Sequence, residues 1–384
     1  MNETISFNMR DAGSIDVSHN STNEHVHSLL GIGQRKNPKR PFLFVSKVLG
    51  KHVPVKPEVM NNSYDDLATQ VLEVLTDDKV TCIGMAETAV GLAAGVHNKL
   101  RLSGVDSLYI SSTRYPDANY DVFCEFKEDH SHATSHFLHY PAKNELKKHL
   151  IETETLVLID DESSTGNTFM NLIKSLVDSG LSGVKRVITV SLTDWSDSAL
   201  EDLMKKNSKT KNLELKSVSL VSGKYTLNEI KLLEEDLERH AEKIKKNEVV
   251  ADLRHSDLPF NECRLGMKDS SYLVDKSLLK AVSGRILVLG TGEYTWQPYL
   301  VAKELEDNGF DVLFSTTTRS PAYVFGELKT KCELKDNYGE GVDMFSYNLN
   351  PDDYDCVLIC SETKNSMFDQ SFVEIFKNSK VLLC

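Results

Sequence analysis

Residues Leu156–Thr168 read LVLIDDESSTGNT. An apolar run ends in two carboxylates, Asp160 and Asp161, and is followed by Glu162, Ser163, Ser164, Thr165, Gly166, Asn167 and Thr168. The next stretch, Phe169–Gly180 (FMNLIKSLVDSG), has helical spacing of its apolar residues. A short continuous apolar run marks a strand buried on both faces of a parallel sheet. Ligands of open α/β sheets bind at the carboxyl ends of the strands, so the two aspartates emerge at a ligand edge. The loop opening the helix is an anion site, because its backbone N–H groups and the helix dipole both favour negative charge. Ser163, Ser164, Thr165 and Thr168 add hydroxyl donors, and Gly166 allows close backbone approach. Carboxylates beside a phosphate cradle repel the phosphate unless they grip something else. A ribose 5-phosphate satisfies both halves, with its phosphate in the loop and its 2- and 3-hydroxyls on the aspartates.

Working outward, seven blocks alternate helix and strand: DDLATQVLEVL, VTCIGMA, AVGLAAGVHNKL, SLYISSTRYP, TLVLIDD, FMNLIKSLV and RVITVSLTDW. That alternation predicts an α/β fold, a mostly parallel sheet with flanking helices. A second α/β unit starts at GRILVLG (Gly284–Gly290) and runs to the C-terminus. The expected layout is a mobile polar tail over 1–25, a first domain over 26–225, a helical linker over 226–255 and a second domain over 256–384. The linker carries Ile230, Leu233, Leu237 and Ile244 on one stripe of a charged helix starting at Leu227.

A formal charge of −13 disfavours nucleic acid as the main partner, since phosphate backbones select basic surfaces. No apolar run is long enough to span a bilayer, and MNETISFNMRDAGS lacks a signal-peptide core. Seven cysteines without CxxC pairs point to reduced thiols and a cytoplasmic protein. Two nucleotide motifs fail: the acid-ended strand resembles a Walker B strand, but neither GxxxxGK[ST] nor GxGxxG is present.

The stretch Leu156–Thr168, four hydrophobics, two acids and a loop ending Thr-Gly-x-Thr, resembles the PRPP signature of type I phosphoribosyltransferases. The chain as a whole resembles the two-domain phosphoribosyltransferase–TRSP proteins of tellurite-resistance-associated biosynthetic clusters, with TTRSP at Thr317–Pro321. The resemblance implies PRPP and an acceptor base or amine as substrates, Mg2+ as cofactor (held indirectly at Asp160 and Asp161) and glycosyl transfer with release of pyrophosphate. It also implies that GMAETAVGLA (Gly84–Ala93), with Ala86, Glu87 and Thr88, holds pyrophosphate. Glu87 departs from the basic or neutral residue usual there, leaving it to hold magnesium through water; a plain β–α turn is the alternative. Arg114, ending the next strand, suits bidentate pairing with pyrophosphate. FKEDHSHATSHFLHY (Phe126–Tyr140) corresponds to the catalytic lid of orotate-type enzymes, with Lys127, His130 and His132 covering pyrophosphate. A zinc site built on its histidines is the alternative. Trp195 suits base stacking and core packing equally. Two other activities remain open: PRPP sensing without turnover, and cleavage of a nucleotide-like compound.

The second domain repeats the first. Gly84 matches Gly290, Glu87 matches Glu293 and Arg114 matches Arg319, while TLVLIDDESS matches DCVLICSETK with Cys360 and Ser361 opposite the paired aspartates. This predicts a diverged copy of the core that has lost the PRPP grip. The resemblance to dimeric orotate-type enzymes leaves three options. The two copies form a pseudo-dimer with Lys335 and Tyr338 near the first site, or Gly290, Thr291, Gly292, Glu293, Trp296, Arg319 and Ser320 form a separate site for another anionic substrate or the product, or the copy is a remnant. A homodimer is equally compatible.

Overall fold

The computed structural model describes residues 3–9, 13–35, 40–127, 135–228, 262–269, 276–363, 374–376 and 380–383. These form two compact units: residues 61–224 with 262–269, and residues up to 60 with 225–228 and those from 276 onward. The division differs from the layout expected from sequence, because residues 26–60 belong with the C-terminal unit.

The N-terminal segment is structured where a tail was expected. Strands β1 (Glu3–Met9) and β2 (Gly13–His19) form an antiparallel hairpin. Ile5, Met9, Ile15 and Val17 are buried, a period-two pattern too short and polar to stand out in the sequence. Helix α1 (Asn23–Leu29) follows, capped by Thr22, whose hydroxyl accepts from the His25 N–H. Strands β3 (Leu30–Gln34) and β4 (Phe42–Ser46) pair antiparallel, and helix α2 (Pro57–Val74) begins on a proline, which suits a first helical turn.

The sheet of the 61–224 unit contains β5 (Lys79–Gly84) and, after helix α3 (Val90–Leu102), β6 (Asp106–Ser111). The small residues of α3 have a packing reason: a Cβ on Gly95 would lie 2.2 Å from the Tyr64 ring. A hairpin, β7 (Val122–Lys127) and β8 (Ser135–His139), and helix α4 (Asn144–Glu152) lead to β9 (Thr155–Ile159), every residue of which is buried. Beyond it come the two-residue β10 (Glu162–Ser163), α5 (Asn167–Asp178), β11 (Arg186–Asp194), α6 (Ala199–Lys206) and β12 (Glu214–Asn228). Strands β6, β5, β9, β11 and β12 lie side by side in that order, all parallel. The chain order therefore reverses between β5 and β9, and this switch point is where open α/β sheets hold ligands. The strand β12 carries Leu227, so the helix expected from that residue does not begin there; Ile230, Leu233, Leu237 and Ile244 lie outside the described residues. The short helix α7 (Glu262–Leu265) returns to this unit, where Met267 and Tyr109 exchange backbone hydrogen bonds of 2.8 and 2.9 Å.

Three buried histidines of this unit are held neutral. Burial lowers the pKa of His97 to about 3, while its ring meets Ser107 Oγ and the Lys268 carbonyl. Burial also lowers His139 and His149. An unfolded histidine takes a proton near pH ~6.5, so these rings contribute stability that is complete above that pH and is lost as pH falls toward their folded values. The thermal unfolding midpoint should therefore drop between pH 7.5 and 5; an unchanged midpoint over that range would remove this account.

The C-terminal unit repeats the order. Its elements are α8 (Lys276–Ala281), β13 (Arg285–Gly290), α9 (Trp296–Asp307), β14 (Asp311–Thr316), a hairpin of β15 (Lys331–Lys335) and β16 (Asp343–Tyr347), β17 (Cys356–Cys360) and β18 (Lys380–Leu383). The parallel sheet runs β14, β13, β17, β18, the same sequence of positions as β6, β5, β9, β11. The likeness extends to single hydrogen bonds. The Ser112 N–H donates to Gly84 O and the Thr317 N–H to Gly290 O, at 2.9 and 3.1 Å. The Ala86 N–H donates to Ser112 Oγ at 2.8 Å, and the Gly292 N–H to Thr317 Oγ1 at 2.9 Å. Thr113 pairs with Phe137 as Thr318 pairs with Phe345. The second unit is a diverged copy of the first.

One detail of the expected alignment is corrected. Gly84 faces Ile159 across the sheet, and Gly290 faces Cys360. Ser361 and Glu362, rather than Cys360 and Ser361, therefore stand where the first unit has Asp160 and Asp161. Cys82, Cys124, Cys263, Cys332 and Cys356 are free thiols, whereas Cys360 is disulfide-bonded, so reduced thiols are not the rule throughout. Among the described residues no helix is long and apolar enough to cross a membrane.

Candidate functional site

The site is assembled at the carboxyl ends of β5, β6 and β9. Backbone bonds continue past the end of β9: the Asp160 N–H donates to Val190 O and the Leu192 N–H to Asp161 O. This holds the two aspartates at the edge as half-buried side chains. Asp160 Oδ1 accepts from the Asp161 N–H at 2.9 Å, which fixes the first carboxylate against the turn. Glu162 and Ser163 then pair with Thr193 and Asp194, and the Trp195 N–H donates to Ser163 O at 2.7 Å. Trp195 itself is buried at 4% exposure, which settles its two roles in favour of core packing in this structure.

Gly166 caps α5 in the left-handed region at φ 73°. A Cβ there would lie 2.8 Å from Leu200 Cβ and 3.0 Å from its backbone. Both the torsion and the space demand glycine. The first-turn Asn167 N–H donates to Thr165 Oγ1 at 3.4 Å, with Thr165 exposed and Asn167 and Thr168 half-buried. Gly166→Ala should cost about 1–3 kcal/mol of stability and weaken binding of a phosphate at this turn. Urea unfolding and PRPP titration of that variant check both, and an unchanged unfolding midpoint would show that the loop relaxes.

On the opposite strand, the turn Ala86–Ala89 sits at the end of β5, with a cis peptide between Ala86 and Glu87. Glu87 is buried at 6%, and its Oε2 lies 3.2 Å from Arg114 at the end of β6; Thr88 is half-buried beside it. The turn and the arginine expected to share a pyrophosphate are thus brought together, but as an acid–guanidinium pair. Sequence reasoning treated each residue alone and missed the pair, which only the β5–β6 register creates.

Lys127 closes β7 as an exposed residue, and its carbonyl accepts from Asn171 Nδ2 of α5 at 2.9 Å. The hairpin base is therefore tied to the helix that begins at the Thr-Gly loop. His130 and His132 lie outside the described residues. His136 and His139 are buried instead: His136 stacks on Phe126 and its Nδ1 is 3.4 Å from Ser112 Oγ, while His139 Nε2 accepts from the Asp117 N–H. Among the described residues no three His, Cys, Asp or Glu side chains gather as a metal site.

In the second unit, Thr291 Oγ1 donates to Cys360 O at 3.2 Å, and Glu293 is buried at 2%. Arg319 pairs with Glu340 at 3.7 Å, and Ser320 O accepts from Tyr347. Trp296 is buried and stacked on Tyr299. Lys335 pairs with Asp343, and Tyr338 is buried with its hydroxyl on Glu362, so both are engaged inside their own unit. Lys51 was not foreseen. It is 1% exposed and donates to Gly292 O at 2.9 Å from a segment more than two hundred residues earlier.

Paired acids and a hydroxyl-rich helix start thus stand together at the switch point of a parallel α/β sheet. The PRTase_2 family, described as a phosphoribosyl transferase, matches residues 29–224, slightly more than half of the chain, and the chain belongs to that family. Residues 266–376 match the TRSP domain, which lies C-terminal to PRTase_2. Among solved structures, the chain is similar to an adenine phosphoribosyl transferase from Trypanosoma brucei in complex with AMP, pyrophosphate and ribose-5-phosphate. The identity is 13%, covering 53% of this chain and 82% of that one, with a TM-score of 0.38. It is also similar to an APRTase from Giardia lamblia complexed with 9-deazaadenine, at 18% identity, 52% and 98% coverage and a TM-score of 0.33. A hypoxanthine phosphoribosyltransferase from Staphylococcus aureus gives 14% identity, 44% and 78% coverage and a TM-score of 0.24. No match was found among curated proteins.

Proposed function

We propose that the unit of residues 61–224 transfers ribose 5-phosphate from PRPP to a nitrogen base or amine, releasing pyrophosphate and forming a nucleotide-like metabolite. The observation that carries this is the half-buried pair Asp160 and Asp161 beside the Gly166 turn, at the switch point of the sheet. The bond from the anomeric carbon to pyrophosphate breaks, and its electron pair leaves with the pyrophosphate. The acceptor nitrogen supplies the pair for the new bond and gives up a proton. Positive charge builds on the ribose ring in between, as in other glycosyl transfers. Asp160 and Asp161 accept the ribose hydroxyls and stabilise that charge, while the loop Glu162–Thr168 anchors the 5-phosphate. No covalent nucleophile is required.

The residues present fit magnesium in one way. Mg2+ keeps several of its waters when it binds beside carboxylates and phosphates, and Asp160 and Asp161 would hold it indirectly, through such water. Bound there, it would neutralise the leaving pyrophosphate.

A second reading has its own observation. Glu87 occupies Arg114, which weakens the pyrophosphate grip and favours PRPP binding without turnover. Pyrophosphate release from PRPP and Mg2+, measured against a panel of bases and amines, separates the two. Release with at least one acceptor supports the transferase, and PRPP binding with no release from any acceptor overturns it.

A further inference from the structure

We infer that the C-terminal unit carries its own small-molecule site, at the carboxyl ends of β13, β14 and β17, and that its ligand is a ribosyl compound without a 5-phosphate, a nucleoside. The site stands on the geometry of this unit alone; only the ribosyl part rests on the reading of Asp161 given above. The strand order reverses between β13 and β17 as it does between β5 and β9, so the same edge is the ligand edge. Polar and charged groups are concentrated there and buried: Lys51 at 1%, Glu293 at 2%, Asn337 at 0% and Glu362 at 3%. Buried ionised groups are costly and persist where partners or a function hold them. Glu362 accepts from the Tyr338 hydroxyl at 2.5 Å.

Asn337 points to a ligand independently. Its amide nitrogen donates to Ser361 Oγ at 3.0 Å and to Thr363 Oγ1 at 3.1 Å, which places the amide at the end of β17. Its carbonyl oxygen is buried and has no hydrogen-bond partner among the described residues. A buried acceptor of this kind calls for a donor from outside the chain.

The chemistry of the ligand follows from what the copy kept and lost. Glu362 stands at the register position of Asp161, where the first unit offers a carboxylate to ribose hydroxyls, whereas Ser361 replaces Asp160. The Ser-Ser-Thr-Gly stretch of the first unit has no counterpart in the sequence after Glu362, which runs Thr363, Lys364, Asn365, Ser366. The edge carries Glu293, Glu362 and the Asn337 carbonyl as acceptors, beside two cations: Lys51, whose ammonium donates to Gly292 O, and Arg319, which pairs with Glu340. The acceptors take hydroxyl donors, and no hydroxyl-rich loop follows in the sequence to cradle a phosphate.

Calorimetric titration of the full-length protein with adenosine, inosine and uridine, and with their 5-monophosphates, tests this. At least one nucleoside should bind, the matching monophosphate should bind more weakly, and nucleoside binding should survive Asp160→Asn with Asp161→Asn. Glu362→Gln and Tyr338→Phe should each weaken nucleoside binding about tenfold. Tyr338→Phe removes one hydroxyl and keeps the proposal testable if Glu362→Gln does not fold. No nucleoside binding up to about 10 mM overturns the site. Loss of binding in the aspartate variant with none in the Glu362 or Tyr338 variants also overturns it, and tighter binding of a monophosphate overturns the ligand class. Failure of the transferase assay leaves all of these outcomes readable, because none of them requires turnover.

Discussion

Replacing Asp160 and Asp161 together with asparagine should reduce pyrophosphate release from PRPP by on the order of a thousandfold or more, with little change in the thermal unfolding midpoint. The two carboxylates are half-buried at a strand end, so neither is needed to fill the core. The contact that Asp160 makes within the turn, accepting from the Asp161 N–H, is one that an asparagine carbonyl reproduces. What the variant loses is negative charge beside a ribose ring that becomes positive only as its bond to pyrophosphate breaks. PRPP affinity should fall much less than turnover, because that charge is absent from the ground state. Wild-type turnover in the double variant would remove the proposed function, which rests on these two carboxylates.

The second large effect concerns truncation. Ending the chain before Arg254 looks, from the sequence, like a clean removal of one domain. In the structure it breaks both units. Segment 30–55 loses its partners in the C-terminal unit. Val55 and Phe314 exchange backbone bonds of 3.0 and 2.8 Å, the Thr316 N–H donates to Gly50 O, the Glu327 N–H to Ile32 O and the Tyr323 N–H to Gln34 O. Lys51 loses the Gly292 carbonyl that its ammonium donates to. The other unit loses Met267 from Tyr109 and the Lys268 carbonyl from His97. Each buried group left without a partner costs about 1–3 kcal/mol, and a domain has only about 5–15 kcal/mol to lose. The fragment 1–253 should therefore aggregate or melt without cooperativity. A soluble fragment melting cooperatively near the full-length temperature would show that the two units fold independently of these contacts. Loss of activity in such a fragment says nothing about a pseudo-dimer, and the Glu362 and Tyr338 variants address the second unit directly.

The sequence by itself determined the doubly wound core, because that information is local. Continuous apolar runs at Leu156–Ile159 and Ile286–Leu289, and the run Val80–Ile83 interrupted only by Thr81, are satisfied in a sheet covered on both faces, and the acids and glycines that follow them mark its ligand edge. The internal repeat was legible for the same reason, since paired turns kept Gly84 with Gly290 and Arg114 with Arg319 at nearly equal spacing. The tertiary structure alone decided everything that depends on register or on distant segments. Ser361 and Glu362 replaced the expected pair because strand pairing, rather than the look of the letters, sets which residue faces Gly290. Arg114 turned to Glu87 because β5 and β6 bring their ends together. The N-terminal hairpin hid in a polar stretch because only alternate residues are buried. Lys51 reached Gly292 from a segment whose own residues give no sign of it, since a buried lysine is recognisable only once the carbonyl that receives it has been folded into place.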